Sequence, residues 1–274
     1  DRIDFTDQRV LALFRRAETG GVFQFESGGM RKTLADMQPD RLEDLIAANA
    51  LFRPGPMELI SDYCKRKAGR QAVPHVHEVV DRLTAETYGV MVYQEQIMQV
   101  LHQLGDIPLR AAYTIIKAIS KKKQAEIAKH RDKFVAGAIK NGIVKETAEA
   151  IYSDWEEFAR YGFNKSHAAA YSLLAYHTAW LKVHFPAEFF CANMTVEMGD
   201  TDKLKVLFED AQRNGVMFEA PDVNRGFYRF EPISDKVIRY GLGAIKGSGQ
   251  QAIEAVVAAR EEGGPFTSLF DFCR

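Results

Sequence analysis

Apolar residues recur at spacings of three and four along most of the first two hundred positions, which predicts a chain built largely of helices. Val10, Leu11, Leu13 and Phe14 mark the first amphipathic segment, and Thr19-Gly-Gly21 closes it. Leu42, Leu45 and Ile46 form the next, with Glu43 and Asp44 near its start, where carboxylates oppose the helix dipole. Phe52-Arg-Pro-Gly-Pro56 ends that segment, because two prolines flank a glycine. The pattern predicts further helices over about 77–85, 94–104, 109–119, 124–140, 146–159, 166–183 and 187–198, the sixth stopped by Phe185-Pro186. Between them, Val22-Phe-Gln-Phe25 reads as a short strand.

The texture changes after about residue 203. One more helix, over roughly 203–213, leads into Asn214-Gly215. Short β-like runs follow at Val216-Met-Phe218, Phe227-Tyr-Arg-Phe230 and Val237-Ile-Arg-Tyr240, interrupted by Pro221, Gly226 and Pro232. A glycine-rich turn, Gly241 to Gly249, then enters a helix from about 250 to 260. The expected fold class is therefore mainly α, a helical domain over 1–203 and a small, partial α+β domain over 204–274. No internal repeat or low-complexity tract interrupts this scheme.

Composition narrows the picture. With 274 residues and 46% apolar side chains the chain can bury a substantial core. Its formal net charge of −1 argues against polyanion binding by bulk electrostatics, so any basic surface must be local. Arg110 to Lys145 is such a region: ten basic side chains stand against Glu126 and Asp132, a balance of +8. Lys121-Lys-Lys123 lies within it, just after the Ile115, Ile116, Ile119 stripe. Cations there suit a helix C-terminus, and equally suit a phosphate grip. Cys64, Cys191 and Cys273 form no CxxC pair, which fits a reducing cytosol. No apolar run reaches the length of a membrane span, and no signal peptide is visible. The start without Met and the stop at Phe272-Cys-Arg274 read as a piece of something longer.

The most informative stretch is Tyr161-Gly-Phe-Asn-Lys-Ser-His-Ala-Ala-Ala-Tyr171. Gly162 and Asn164 can take the positive φ of a sharp entry turn, and Ser166 can cap the helix that follows. Lys165 and His167 offer charge-assisted donors at a helix N-terminus, and Ala168 to Ala170 leave room for close approach. A capped helix with solvated side chains accounts for the same residues. Near the C-terminus, Gly247-Ser-Gly249-Gln-Gln-Ala252 fits G-x-G-x-x-A, with Asp271 about twenty residues on. That pattern serves a dinucleotide fold, a hairpin presenting backbone N–H groups to DNA phosphate, or a plain turn. His75-Val-His77 has metal-ligand spacing without a recognisable complement, and Asp200-Thr-Asp202 reads better as a helix cap. Glu95, between two glutamines, suits a hydrogen-bonded scaffold more than a general base.

Taken together, six blocks resemble the fingers region of the α subunit of bacterial DNA polymerase III, the C family of replicative DNA polymerases. They are Gly21-Val-Phe-Gln-Phe-Glu-Ser27 with Gly29-Met30, Ala50-Leu-Phe-Arg-Pro-Gly-Pro-Met57, Thr87-Tyr-Gly-Val-Met-Val-Tyr-Gln-Glu-Gln96, Lys121-Lys-Lys123, Phe158 to Tyr171, and Tyr240 to Gly247. The resemblance implies helical fingers to about residue 200, then the start of a helix-hairpin-helix, clamp-binding region. It implies template-directed nucleotidyl transfer by the whole protein, with Mg²⁺ held by palm aspartates upstream of this chain, which would then carry no catalytic residue or metal ligand of its own. It places Lys117, Lys121, Lys122, Lys123, Asn164, Lys165, Ser166, His167 and Tyr171 near the incoming dNTP. Arg53, Lys246, Gly247 and Gly249 are expected to contact DNA. The implied partners are primer-template DNA, dNTP, the sliding clamp and other replisome subunits, in a cytoplasmic, nucleoid-associated setting. One departure stands out: Ile115-Ile-Lys-Ala-Ile-Ser-Lys-Lys122 replaces a Leu-Arg-Arg-Ala-Met-Gly-Lys-Lys pattern, so Ile116 and Lys117 stand where the family has arginines. The rival readings are a non-catalytic nucleic-acid-binding module and a dinucleotide-dependent enzyme built on the glycine turn.

Overall fold

The computed structural model describes residues 3–120, 124–159 and 161–274. Helices dominate, and the strands are confined to a small sheet near the C-terminus. The fold is thus a helical domain with a small α+β part, as the periodicity predicts. The chain divides into two compact units, one of residues 4–18 and 27–175, the other of 19–26 and 176–274 with Ile3.

In the larger unit, the helices Glu78–Thr84, Gln94–Gly105, Leu109–Ser120, Gln124–Lys140 and Lys145–Ala159 enclose one core. Ile97, Val100, Leu101 and Leu104 project from one face of Gln94–Gly105 into it. Ile115, Ile116 and Ile119 meet them from the next helix, and Phe134, Tyr152 and Trp155 fill the centre with tilted and edge-on rings. Ile116 is 1% exposed, so the position where the family pattern carries an arginine faces the core here. Two helices that periodicity does not reveal complete this unit, Gly28–Met37 and Ile60–Lys67. The first begins on a Gly-Gly pair that reads as a turn, yet Ser27 caps it by accepting the Met30 N–H at 3.3 Å.

A buried polar network lies beside these helices. The Asp44 carboxylate, fully buried, accepts from the Tyr63 hydroxyl at 2.9 Å and pairs with the Lys67 ammonium at 3.2 Å. Burial raises the Asp44 pKa despite those partners.

In the smaller unit, β1 (Met217–Glu219) lies parallel to β3 (Val237–Arg239), which pairs antiparallel with β2 (Glu231–Ser234). Pro232 is tolerated because β2 is an edge strand. The sheet packs with Phe189, Phe190, Met194, Leu204 and Leu207 of the helices Pro186–Val196 and Thr201–Arg213. Two expected strands are absent. Val22 to Phe25 turns on successive three-residue bonds, Val22 N–H to Thr19 O and Phe25 N–H to Val22 O. Phe227 to Phe230 runs as a loop whose carbonyls accept the Leu242 and Gly243 N–H groups. Asp200 caps its helix through the Lys203 N–H, as its position suggests.

Candidate nucleotide-facing surface

Three of the sequence blocks meet in the larger unit around residues 161–171. Phe163 donates its N–H to Val92 O and accepts the Gln94 N–H, joining the two segments by an isolated parallel bridge. The third block, Phe52 to Pro56, docks on Tyr161. Gly55 has φ +102° and a Cβ there would lie 2.5 Å from the Tyr161 ring, so glycine is required for both reasons. Arg53 donates to Ala50 O at 2.8 Å and to Tyr161 O at 2.6 Å, and its guanidinium covers the Phe163 ring at 4.3 Å. Burial lowers its pKa, but a guanidinium stays charged. Two of its donor groups are thus engaged within the molecule.

The head of the helix Lys165–His184 differs from the expectation in two respects. Gly162 and Asn164 do not take positive φ. Ser166 is also not the cap: Asn164 accepts the His167 N–H at 2.8 Å, and the helix starts one residue earlier than predicted. Gly162 is small because Gln94 Cγ would lie 3.2 Å from a Cβ. The anion-attracting end of the helix is filled by the protein itself. Glu95 accepts the Lys165 N–H at 2.9 Å and the Asn164 side-chain amide at 2.9 Å. The Lys165 ammonium pairs with Glu86 at 2.8 Å and sits 5.3 Å from the centre of the Tyr93 ring.

Gln96 fixes the loop that supplies these acids. It accepts from the Val92 and Tyr93 N–H groups and donates to Leu83 O and Thr87 Oγ1. Tyr93 is buried, its hydroxyl unpartnered, and burial raises its pKa far above the ordinary phenol range. Glu95 is therefore a scaffold, which its flanking glutamines foreshadow. Glu86 has no such flanking amides and carries no comparable sequence signal, and its partner lies 79 residues away.

A row of aromatic side chains runs along this helix head, with Phe163 half-buried. Phe163, His167 and Tyr171 follow one another at four-residue spacing, with ring centroids 5.4 Å and 4.3 Å apart. Ser166, His167 and Tyr171 are exposed, Lys165 half-buried and Ala168 buried. This is a stacking ladder with Arg53 at one end, a surface suited to planar bases.

The other expected site residues lie elsewhere. Lys117 is exposed on Leu109–Ser120, its ammonium 4.5 Å from the Tyr113 ring centre. Lys121, Lys122 and Lys123 lie outside the described residues. Lys246, Gly247 and Gly249, in the smaller unit, form an exposed turn before the helix Gln250–Gly263. Gly247 has φ +89°, and open space surrounds it and Gly249. The turn follows a single 3₁₀ turn rather than a strand, and the small mixed sheet is not the doubly wound one a dinucleotide fold needs. His77 caps its helix through the Val79 N–H and His75 pairs with Asp81, so the His-Val-His spacing has a local explanation.

A largely helical module that presents an aromatic and cationic ladder, followed by a small domain with an exposed glycine turn, has the build of a nucleic-acid-handling protein. Residues 1–142 match the model of the bacterial DNA polymerase III alpha subunit finger domain, and residues 215–274 match a helix-hairpin-helix motif. The chain belongs to the DNA polymerase III α-subunit family. It is 48% identical over 99% of its length to the DNA polymerase III subunit alpha of Neisseria meningitidis serogroup B. The corresponding subunits of Escherichia coli K12 and Thermus aquaticus are 45% and 44% identical over 99% and 100% of the chain. The chain spans about a quarter of the length of these curated relatives, between 23% and 24%.

Proposed function

We propose that this chain is the fingers segment of a replicative DNA polymerase, with fingers over 1–203 and the start of the helix-hairpin-helix region over 204–274. It receives the incoming dNTP and primer-template while the rest of the polymerase supplies the palm. The observation that carries this reading is the aromatic ladder of half-buried Phe163 with exposed His167 and Tyr171, covered at one end by Arg53. Tyr171 and His167 stack on the nascent base pair. Ser166 and Asn164 contribute polar contacts, and Lys165 becomes a phosphate ligand when Glu86 yields it. Lys117 and Lys121 to Lys123 neutralise phosphate, while Lys246 and the N–H groups of Gly247 and Gly249 hold the duplex backbone.

Template-directed nucleotidyl transfer belongs to the full-length polymerase, which uses Mg²⁺ at its palm. Among the described residues no three His, Cys, Asp or Glu side chains are grouped for a metal, and no step here runs through one. The setting is cytoplasmic and nucleoid-associated, with the sliding clamp and other replisome subunits as partners of the full chain. None of the described helices is long and apolar enough to cross a membrane.

The test is fluorescence anisotropy of a primer-template across a salt series, with and without the matched dNTP and Mg²⁺. His167→Ala with Tyr171→Ala should weaken binding about tenfold, since base stacking contributes about 1–3 kcal/mol per base. Lys122→Glu should lower the salt slope by about one per lost phosphate contact. Binding indifferent to the aromatic pair, the lysine and the nucleotide would overturn the reading.

A further inference from the structure

A cavity in the larger unit, of about 550 Å³, lies between the helices Gly28–Met37 and Ile60–Lys67 and the Phe52 to Met57 loop. It contains none of the residues expected to meet nucleotide or DNA. Its size falls within the range of small-molecule sites. Two kinds of surface line it. Phe52, Met57 and Ile60 supply an apolar wall, with the Phe52 ring seated so closely on Gly29 that a Cβ there would lie 2.6 Å away. Lys32, Lys65 and Arg70 supply three exposed cations.

Several other cations of this unit are already paired with carboxylates. Lys67 is committed to Asp40 and Asp44, Lys165 to Glu86, and Arg66 to Asp62. Lys32, Lys65 and Arg70 have no ionic partner among the described residues, though Asp36 also lines the cavity. Three unpaired cations around one carboxylate leave an excess of two positive charges at an apolar wall. Like charges gathered without counterions repel, and an anionic ligand relieves that repulsion.

We infer that this cavity binds a phosphate-bearing nucleotide unit, with its phosphate held by Lys32, Lys65 and Arg70 and its base laid against Phe52 and Met57. The chemistry is shared by a free nucleotide and by one unit of a single-stranded nucleic acid. Unlike the proposed fingers surface, this site does not depend on His167, Tyr171 or Lys117.

Cys64 lines the same cavity and gives a local readout. It is half-buried, and burial with the nearby Asp36 and Asp44 carboxylates pushes its thiol pKa up to about 11. Cys191 is buried, so in a Cys273→Ser background the slow alkylation of Cys64 by iodoacetamide reports occupancy. ATP and an oligo(dT) strand are added separately as probes. Protection by ATP would identify a free nucleotide as the ligand, and protection by oligo(dT) alone a strand. In either case Lys32→Ala/Lys65→Ala/Arg70→Ala should raise the half-protecting concentration at least about tenfold, the equivalent of one charge-assisted hydrogen bond. His167→Ala/Tyr171→Ala should leave it unchanged, which separates this site from the fingers surface. Absence of protection by both probes, or protection that survives loss of the three cations, would overturn the inference.

Discussion

At the head of the helix Lys165–His184, Glu95 satisfies donors from both Asn164 and Lys165. Glu95→Ala would strand those donors and fray the first turn. The expected loss is about 1–3 kcal/mol, read from urea unfolding, with Glu95→Gln intermediate because an amide retains one acceptor oxygen. In the smaller unit the Lys182 side chain is fully buried and donates to Asp210 at 2.6 Å and to Gly20 O at 2.8 Å. Asp210→Ala removes the carboxylate that balances this buried ammonium and should cost about 3–5 kcal/mol. Adding Lys182→Met should recover most of that loss in the same denaturation assay, because the buried charge is then gone.

At the scale of elements, the crossing of Gln94–Gly105 with Gln124–Lys140 depends on two glycines. A Cβ on Gly137 would lie 2.0 Å from the Gly105 carbonyl oxygen, a backbone atom that cannot swing aside. Alanine in an exposed helix interior normally gains about 1 kcal/mol over glycine. Overpacking of a closed crossing costs about 1–3 kcal/mol, and a contact this short lies at the upper end. Gly137→Ala should therefore lower the unfolding midpoint. Gly28→Ala, where a Cβ meets open space, should leave it unchanged or slightly higher. Equal behaviour of the two variants would mean that the helices can part at no cost.

For the molecule as a whole, stability should fall on acidification, and the direction follows from its carboxylates. Asp222 is held below the usual range by its bond to Arg225 and the Asn224 N–H, and Asp81 by the Val76 N–H and His75. A carboxylate with a depressed folded pKa contributes stability above its unfolded pKa, near about 4, and loses it as pH falls through the folded value. Asp44, raised by burial, acts in the opposite sense, its contribution fading as pH rises through its folded pKa. Asp222→Asn should lower the urea midpoint at pH 7, and the gap from the parent should close as pH drops below about 4. A gap that persists at acid pH would show that the residue acts by shape rather than charge. The effect is modest, since Asp222 is solvent-screened.

The sequence by itself determined the helical class, because a 3.6-residue apolar period marks a helix wherever one face is buried. It also determined the N-cap at Asp200, set by chemistry local to the chain, and the flanking glutamines pointed to a scaffold role for Glu95, whose partners lie about 70 residues away. The strand read at Val22 to Phe25 failed because i to i+3 bonds and the left-handed backbone at Gly21 and Gln24 outweigh apolar content. The helix Gly28–Met37 stayed hidden because a glycine pair looks like a turn until Phe52 is seen packed on it. Only the tertiary structure decided that Lys165 and the helix N-terminus are already neutralised by Glu86 and Glu95. Charge counts along a chain record which ions are present. Whether an ion is free depends on partners brought within 3 Å from some 70 to 80 residues away, and that is a property of packing.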